Sequence, residues 1–211
     1  MLKSYVLRQG RFTAAQKKAY ENLSHNFIIP FSEEKINIDN LTAEIGFGSG
    51  FATAEIANAN QDKNYLGIEV HRPGIGRLLW EIENKNLNNI KIIEYDAVSV
   101  FEKMIPALSL EAVHIFFPDP WPKKRHHKRR LVKRPFTDML AESLKPGGYL
   151  YFVTDWEDYA LFALEELTAT KGLKNEYADF AVMQNWRPKT RFEQKGLLKD
   201  HVIRELFFRK I

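Results

Sequence analysis

Asn40-Leu41-Thr42-Ala43-Glu44-Ile45-Gly46-Phe47-Gly48-Ser49-Gly50 is the stretch that decides the fold. It reads as a strand running into a Gly-rich turn, and Phe51–Ala59 resumes as an Ala-rich helix. Such a turn lets backbone approach a ligand closely. Outward from it, Asn64–Val70 reads as a strand, and Gly74–Leu87 carries Ile75, Leu78, Leu79 and Ile82 at helical spacing. Asn89–Tyr95 is a third strand ending at Asp96, Val98–Met104 a short helix, and Leu110–Phe117 a fourth strand stopped by Pro118 and Pro120. Pro135–Leu144 is a helix with Pro135 in its first turn, Lys145-Pro146-Gly147-Gly148 a turn, and Tyr149–Val153 a wholly apolar strand. Trp156, Tyr159, Ala160, Ala163, Leu164 and Leu167 then mark an amphipathic helix. Residues 173–180 and His201–Arg209 read as final strands, and residues 13–24 as a short basic helix with Thr13 as N-cap. This alternation predicts an α/β fold with a doubly wound, mostly parallel sheet, whose ligands bind at the strands' carboxyl ends.

The chain has 211 residues, 45% of them hydrophobic, enough for one large core. Residues 1–30 read as a basic N-terminal arm and helix, and 31–211 as a single domain. Without Cys, the chain forms no disulfide, thiolate zinc site, iron–sulfur cluster or cysteine nucleophile. Apolar runs are too short to span a membrane, and Met1–Tyr5 lacks the apolar core of a signal peptide, so the expectation is a cytoplasmic protein. The net charge of +4 is unevenly spread. Lys3, Arg8, Arg11, Lys17 and Lys18 crowd residues 1–20, and Lys123, Lys124, Arg125, Lys128, Arg129, Arg130, Lys133 and Arg134 crowd residues 123–134, both without an acid. The rest of the chain is acidic. Two basic segments on an acidic body suggest a localised polyanion-binding surface, with two solvated faces as the plain alternative.

The Gly-rich turn departs from the dinucleotide fingerprint, because Phe51 stands where its last Gly or Ala belongs. Nor is there a P-loop Lys. A carboxylate at Glu44 repels a pyrophosphate and attracts an ammonium or sulfonium group. S-adenosylmethionine, with a cationic amino-acid end, a ribose and no phosphate, fits better. Gly46 and Gly48 would cradle it, Glu69 at the end of the second strand would grip its ribose hydroxyls, and Asp96-Ala97 would meet its adenine. Each acid alone also suits a helix N-cap or a solvated turn.

Phe116-Phe117-Pro118-Asp119-Pro120-Trp121 follows the fourth strand. Its prolines fix the loop that carries Asp119, which suits an acceptor for the N–H groups of a planar base, and Trp121 suits a stacking platform. The alternative is a Pro-rich turn with Trp121 as core filler. Lys123 to Arg130 follow at once, placing a phosphate-binding strip beside that pocket. His126 and His127 lack companion ligands, so no metal is expected. Asp155 at the fifth strand's end is a site candidate or simply the N-cap of the helix from Trp156. Thr190-Arg191-Phe192-Glu193 alone reads as a surface turn.

Together these residues resemble the bacterial tRNA (guanine-N7-)-methyltransferases. The resemblance covers nearly the whole chain. It rests on Ser4–Arg11, Glu44–Gly48, Gly67-Ile68-Glu69-Val70, Pro118–Trp121 with Lys123–Arg130, Thr154-Asp155-Trp156 and Thr190–Glu193. It implies a Rossmann-like class I S-adenosylmethionine-dependent methyltransferase fold with a mostly parallel seven-stranded sheet. It implies methylation of N7 of a guanine in the tRNA variable loop, by a monomer or homodimer. Glu44, Glu69, Asp96 and Asp119 would contact the methyl donor. Lys123, Asp155, Thr190, Arg191, Phe192 and Glu193 would contact the substrate guanine region, and Arg125, His126, His127, Lys128, Arg129 and Arg130 would touch RNA. Arg191 stands where the family pattern has Lys. Guanine N7 has an in-plane lone pair and no proton to lose, so Asp119 is expected to orient and stabilise rather than act as a base. A methyltransferase for a small molecule or protein leaves the basic strip unexplained, a silent RNA-binding module leaves the strand-end acids unexplained, and Phe51 and Glu44 disfavour a nicotinamide oxidoreductase.

Overall fold

The computed structural model describes residues 4–5, 10–190, 193, 198 and 201–211. Among these residues the strands are β1 (Leu41–Ile45), β2 (Asn64–Ile68), β3 (Ile90–Ile93), β4 (Leu110–Phe116), β5 (Leu144–Thr154), β6 (Leu173–Asn175) and β7 (Arg204–Lys210). They form one sheet in the order β3-β2-β1-β4-β5-β7-β6. The β1 strand pairs in parallel with β2 and β4, and β3 and β5 extend the sheet in the same sense. The β7 strand returns antiparallel between β5 and β6. The chain lays β2 and β3 on one side of β1, and β4 to β7 on the other. At such a reversal the strand ends part and open a crevice.

Helices α1 (Ala14–Phe27), α2 (Phe51–Ala59) and α3 (Arg72–Lys85) cover one face, and α4 (Ala97–Lys103), α5 (Phe136–Ser143) and α6 (Glu157–Thr168) the other. Strand alternation divides β1 between the two cores. Leu41, Ala43 and Ile45 pack with Val100, Leu140 and Tyr159, while Glu44 meets Thr53 of α2 on the opposite face. Thr13 caps α1 in a reciprocal box with Gln16. Ala19 is buried in the same cluster as Ile75 and Leu79 of α3, and Ile28 bridges in parallel to Ile92.

The expected elements are present with shifted ends. Lys145–Gly148, expected as a turn, lies inside β5, where a register shift opposite Leu110 and Ala112 absorbs it. The β6 strand stops at Asn175, whose side chain accepts the Tyr177 N–H at 3.2 Å and turns the backbone. Pro135 occupies the N-cap of α5 rather than its first turn. The basic segment folds into a 3₁₀ helix, Lys124–Arg129.

Candidate active site

The carboxyl ends of β1, β2 and β4 open into a cleft of about 840 Å³. That is ample for a nucleoside-sized ligand, for which pockets run to roughly 300–1,000 Å³. Glu44, Gly46, Gly48, Glu69, Ala97, Asp119 and Thr190 all line it. Gly48 has φ +58°, a left-handed conformation that carries the loop around the end of β1. A Cβ on Gly74, in the first turn of α3, would lie 1.9 Å from the Gly48 carbonyl, so α3 sits directly against this loop.

Glu44 is 4% exposed, and its only hydrogen bond among the described residues comes from the Thr53 hydroxyl, at 2.7 Å. No cation faces it there. Burial pushes its carboxyl up to about 7, partly offset by the Thr53 hydroxyl and reinforced by the nearby Glu69 charge. Glu69 holds the loop together: one carboxylate oxygen accepts the Gly48 N–H at 2.8 Å, the other those of Val70 and His71 at 2.7 and 3.0 Å. Asp96 is the N-cap of α4, accepting from Ser99 N–H and hydroxyl at 3.1 and 3.2 Å. Both atoms bond the same carboxylate oxygen, so the second oxygen keeps its acceptor capacity. The neighbouring Tyr95 also lines the cleft and stacks on Phe31, with ring centroids 3.8 Å apart.

Asp119 is exposed on the loop after β4, at the cleft's mouth. Trp121 follows at φ 49°, its indole donating to the Ser4 carbonyl at 3.0 Å. The Arg129 guanidinium lies 4.8 Å from the Trp121 ring centroid and the His126 ring meets it edge-on, so the platform is already engaged. Lys123, Lys124, Arg125 and Lys128 are exposed around the 3₁₀ turn, and His126, His127 and Arg129 are half-buried.

Arg130 differs from the other cations of the expected RNA strip. Its side chain is buried, bonded to the Pro120 carbonyl and to Asp158, and flanked by the rings of Tyr159 and Phe162. Asp155 does not cap α6, which begins at Glu157 behind Trp156; instead it pairs with His201 Nδ1 at 3.0 Å. Glu193 is buried too. Arg187 holds its two oxygens at 2.7 and 3.2 Å and reaches Glu205 at 2.7 Å. The Glu193 N–H donates to Thr190 Oγ1 at 3.2 Å, so this buried cluster fixes Thr190 at the cleft. Arg191 and Phe192 lie outside the described residues. Among the described residues no group of three His, Asp or Glu could hold a metal ion, and no helix is long and apolar enough to cross a membrane.

Thr53, Tyr95 and Arg187 are not among the site residues expected from the sequence. Tyr95 adjoins Asp96 at a strand end and was open to the same argument. Thr53 stands three residues after Gly50, in the first turn of α2, where a hydroxyl faces back along β1. Arg187 carried no local signal, because its charge is met by Glu193 and by Glu205 of β7.

A family model described as "Putative methyltransferase" matches residues 39–206. A tRNA (guanine-N(7)-)-methyltransferase of Nitrosomonas eutropha is 50% identical, across 99% of this chain and 96% of the relative. Its counterpart from Nitrosomonas europaea is 48% identical, across 98% and 96%. In structure the chain is similar to the 16S rRNA methyltransferase KamB, with a TM-score of 0.59 at 12% identity, covering 96% of each chain. That likeness extends to the fold, the Rossmann-like class I methyltransferase sheet.

Proposed function

Because the chain belongs to the tRNA (guanine-N(7)-)-methyltransferase family, we propose that its cleft holds S-adenosylmethionine and a guanine of tRNA side by side, with Asp119 between them. The observation that carries this reading is one continuous surface. Among the described residues a buried carboxylate lines the cleft without a cationic partner, a proline-fixed carboxylate stands at its mouth, and exposed cations begin four residues later. The enzyme transfers a methyl group to guanine N7 of tRNA.

The residues present fit the donor. Glu44 supplies a desolvated anion for its cationic end, Gly46 and Gly48 leave open space above the loop, and Glu69 Oε2, which accepts one backbone N–H, keeps a second lone pair for a ribose hydroxyl. Ala97, with Tyr95 beside it, forms the wall for adenine. When bound, the donor supplies an electrophilic methyl group on a sulfonium. Guanine N7 offers a lone pair with no proton attached, so the chain needs no base. Asp119 accepts from the guanine's N–H groups and faces the positive charge that grows on the purine. Thr190, bonded by Glu193, lines the cleft as well, whereas Lys123 and Asp155 lie outside its lining and would meet the substrate beyond it. Lys124, Arg125, Lys128 and Arg129, flanked by His126 and His127, bind phosphates near the target base.

Single-turnover methylation of unmodified tRNA by Asp119→Ala tests this. The rate should fall about 10²–10³-fold, as for loss of one preorganised electrostatic contact. A folded variant at near-wild-type rate removes Asp119 from the site.

A further inference from the structure

Arg130 closes the basic run, yet its side chain is 1% exposed. A buried guanidinium persists only where its charge and its N–H groups are met. Here Nε donates to the Pro120 carbonyl at 3.1 Å, Nη1 reaches the Asp158 carbonyl at 3.5 Å, and Nη2 bonds the Asp158 carboxylate and lies 3.2 Å from His127 Nε2. The rings of Tyr159 and Phe162 flank the cation, with centroids 5.0 and 5.1 Å away. Pro120 is the residue after Asp119. Neither Pro118 nor Pro120 has an N–H, so the Pro120 carbonyl is one of the few handles by which this loop can be gripped. On the other side of Arg130, the Tyr159 hydroxyl accepts the N–H groups of Leu131 and Val132, both at 3.1 Å. The first turn of α6 therefore holds both ends of the segment from Pro120 to Val132.

We propose that Arg130 is a positioning residue for Asp119: its buried guanidinium ties the Pro120 carbonyl to Asp158 and sets the active-site loop before tRNA arrives. This rests on the reading of Asp119 given above. The fork of guanidinium donors spans backbone and carboxylate in directions a lysine ammonium cannot serve together. The Asp158 carboxylate, open to solvent on its far side, is held below its usual range by that bond. The run from Lys123 thus divides in two, with exposed cations for phosphate and a buried last member for the geometry of the loop.

The test compares Arg130→Met, Arg130→Lys and Asp158→Ala, with Asp119→Ala alone and combined with Arg130→Met. Single-turnover methylation is measured at saturating tRNA, and tRNA affinity across a salt series. The rate should fall about 10–100-fold in Arg130→Met and about 3–10-fold in Asp158→Ala, the cost of a misplaced catalytic group. Arg130→Lys should recover only part of the loss. Affinity for tRNA and its salt slope should stay at wild-type values. Adding Arg130→Met to Asp119→Ala should cost less than about twofold more, because both act through one group. A full rate in Arg130→Met, with a salt slope reduced by about 0.7–0.9, would make Arg130 an RNA contact and overturn the proposal. Losses that multiply in the double variant would overturn it as well. Should Arg130→Met not fold, Asp158→Ala decides alone, and a wild-type rate there overturns it. A wild-type rate in Asp119→Ala would instead refute the reading of Asp119, whatever Arg130→Met shows.

Discussion

Replacing Glu44 by Gln removes a buried carboxylate of the cleft while keeping its shape and an acceptor for the Thr53 hydroxyl. Without a ligand, burial holds the carboxyl at about 7. It is then about one-tenth ionised at pH 6 and about nine-tenths at pH 8. A cationic ligand group binds the ionised form, so wild-type affinity for S-adenosylmethionine should rise about tenfold between those values and level off above. Affinity in Glu44→Gln should be flat over the same interval. Stability moves in the opposite sense. A carboxyl raised in the folded state keeps its proton there, so its favourable contribution is present at low pH and is lost as pH rises from the ordinary carboxylate range through about 7. Glu44→Gln should therefore match wild type near pH 4.5 and exceed it above pH 7, by on the order of 3 kcal/mol without donor. Calorimetric titration and thermal melts across pH check both. A pH-independent wild-type affinity, or an equal slope in Glu44→Gln, refutes the pairing of Glu44 with the ligand's cation.

Two further perturbations separate the donor site from the RNA face. Glu69→Ala should weaken donor binding by about 1–3 kcal/mol, since it removes acceptors for ribose and frees the Gly48, Val70 and His71 N–H groups; unchanged affinity by calorimetry in a folded protein would remove Glu69 from the site. Replacing Arg125, Lys128 and Arg129 together by Ala should leave donor affinity intact, weaken tRNA binding and lower its salt slope by about 0.7–0.9 per phosphate contact. An unchanged slope in a filter-binding series would make these side chains a merely solvated face.

Much of this was legible locally. The Glu44–Gly50 turn, the strand-end acids and the Pro118–Trp121 loop each lie within a few residues of the strand that positions them, and strand–helix alternation fixes where those ends meet. What stayed hidden depends on distant partners. Arg130 reads like Lys128 in a run of cations; only Asp158, Tyr159 and Phe162 of α6 decide that it turns inward. Asp155 has the sequence context of a helix cap, and His201, three residues before β7, claims it instead. Glu193 looks like a surface acid until Arg187 and β7 enclose it. Charged residues are ambiguous because an exposed and a paired, buried charge share one local pattern.

The most direct measurement concerns the product. The purified protein is incubated with methyl-labelled S-adenosylmethionine and unmodified bulk tRNA, the RNA is digested to nucleosides, and the labelled nucleoside is identified, with Asp119→Ala alongside. The labelled nucleoside should be 7-methylguanosine, strongly reduced in the variant. Label in another nucleoside, or none in tRNA, would contradict transfer to guanine N7 of tRNA.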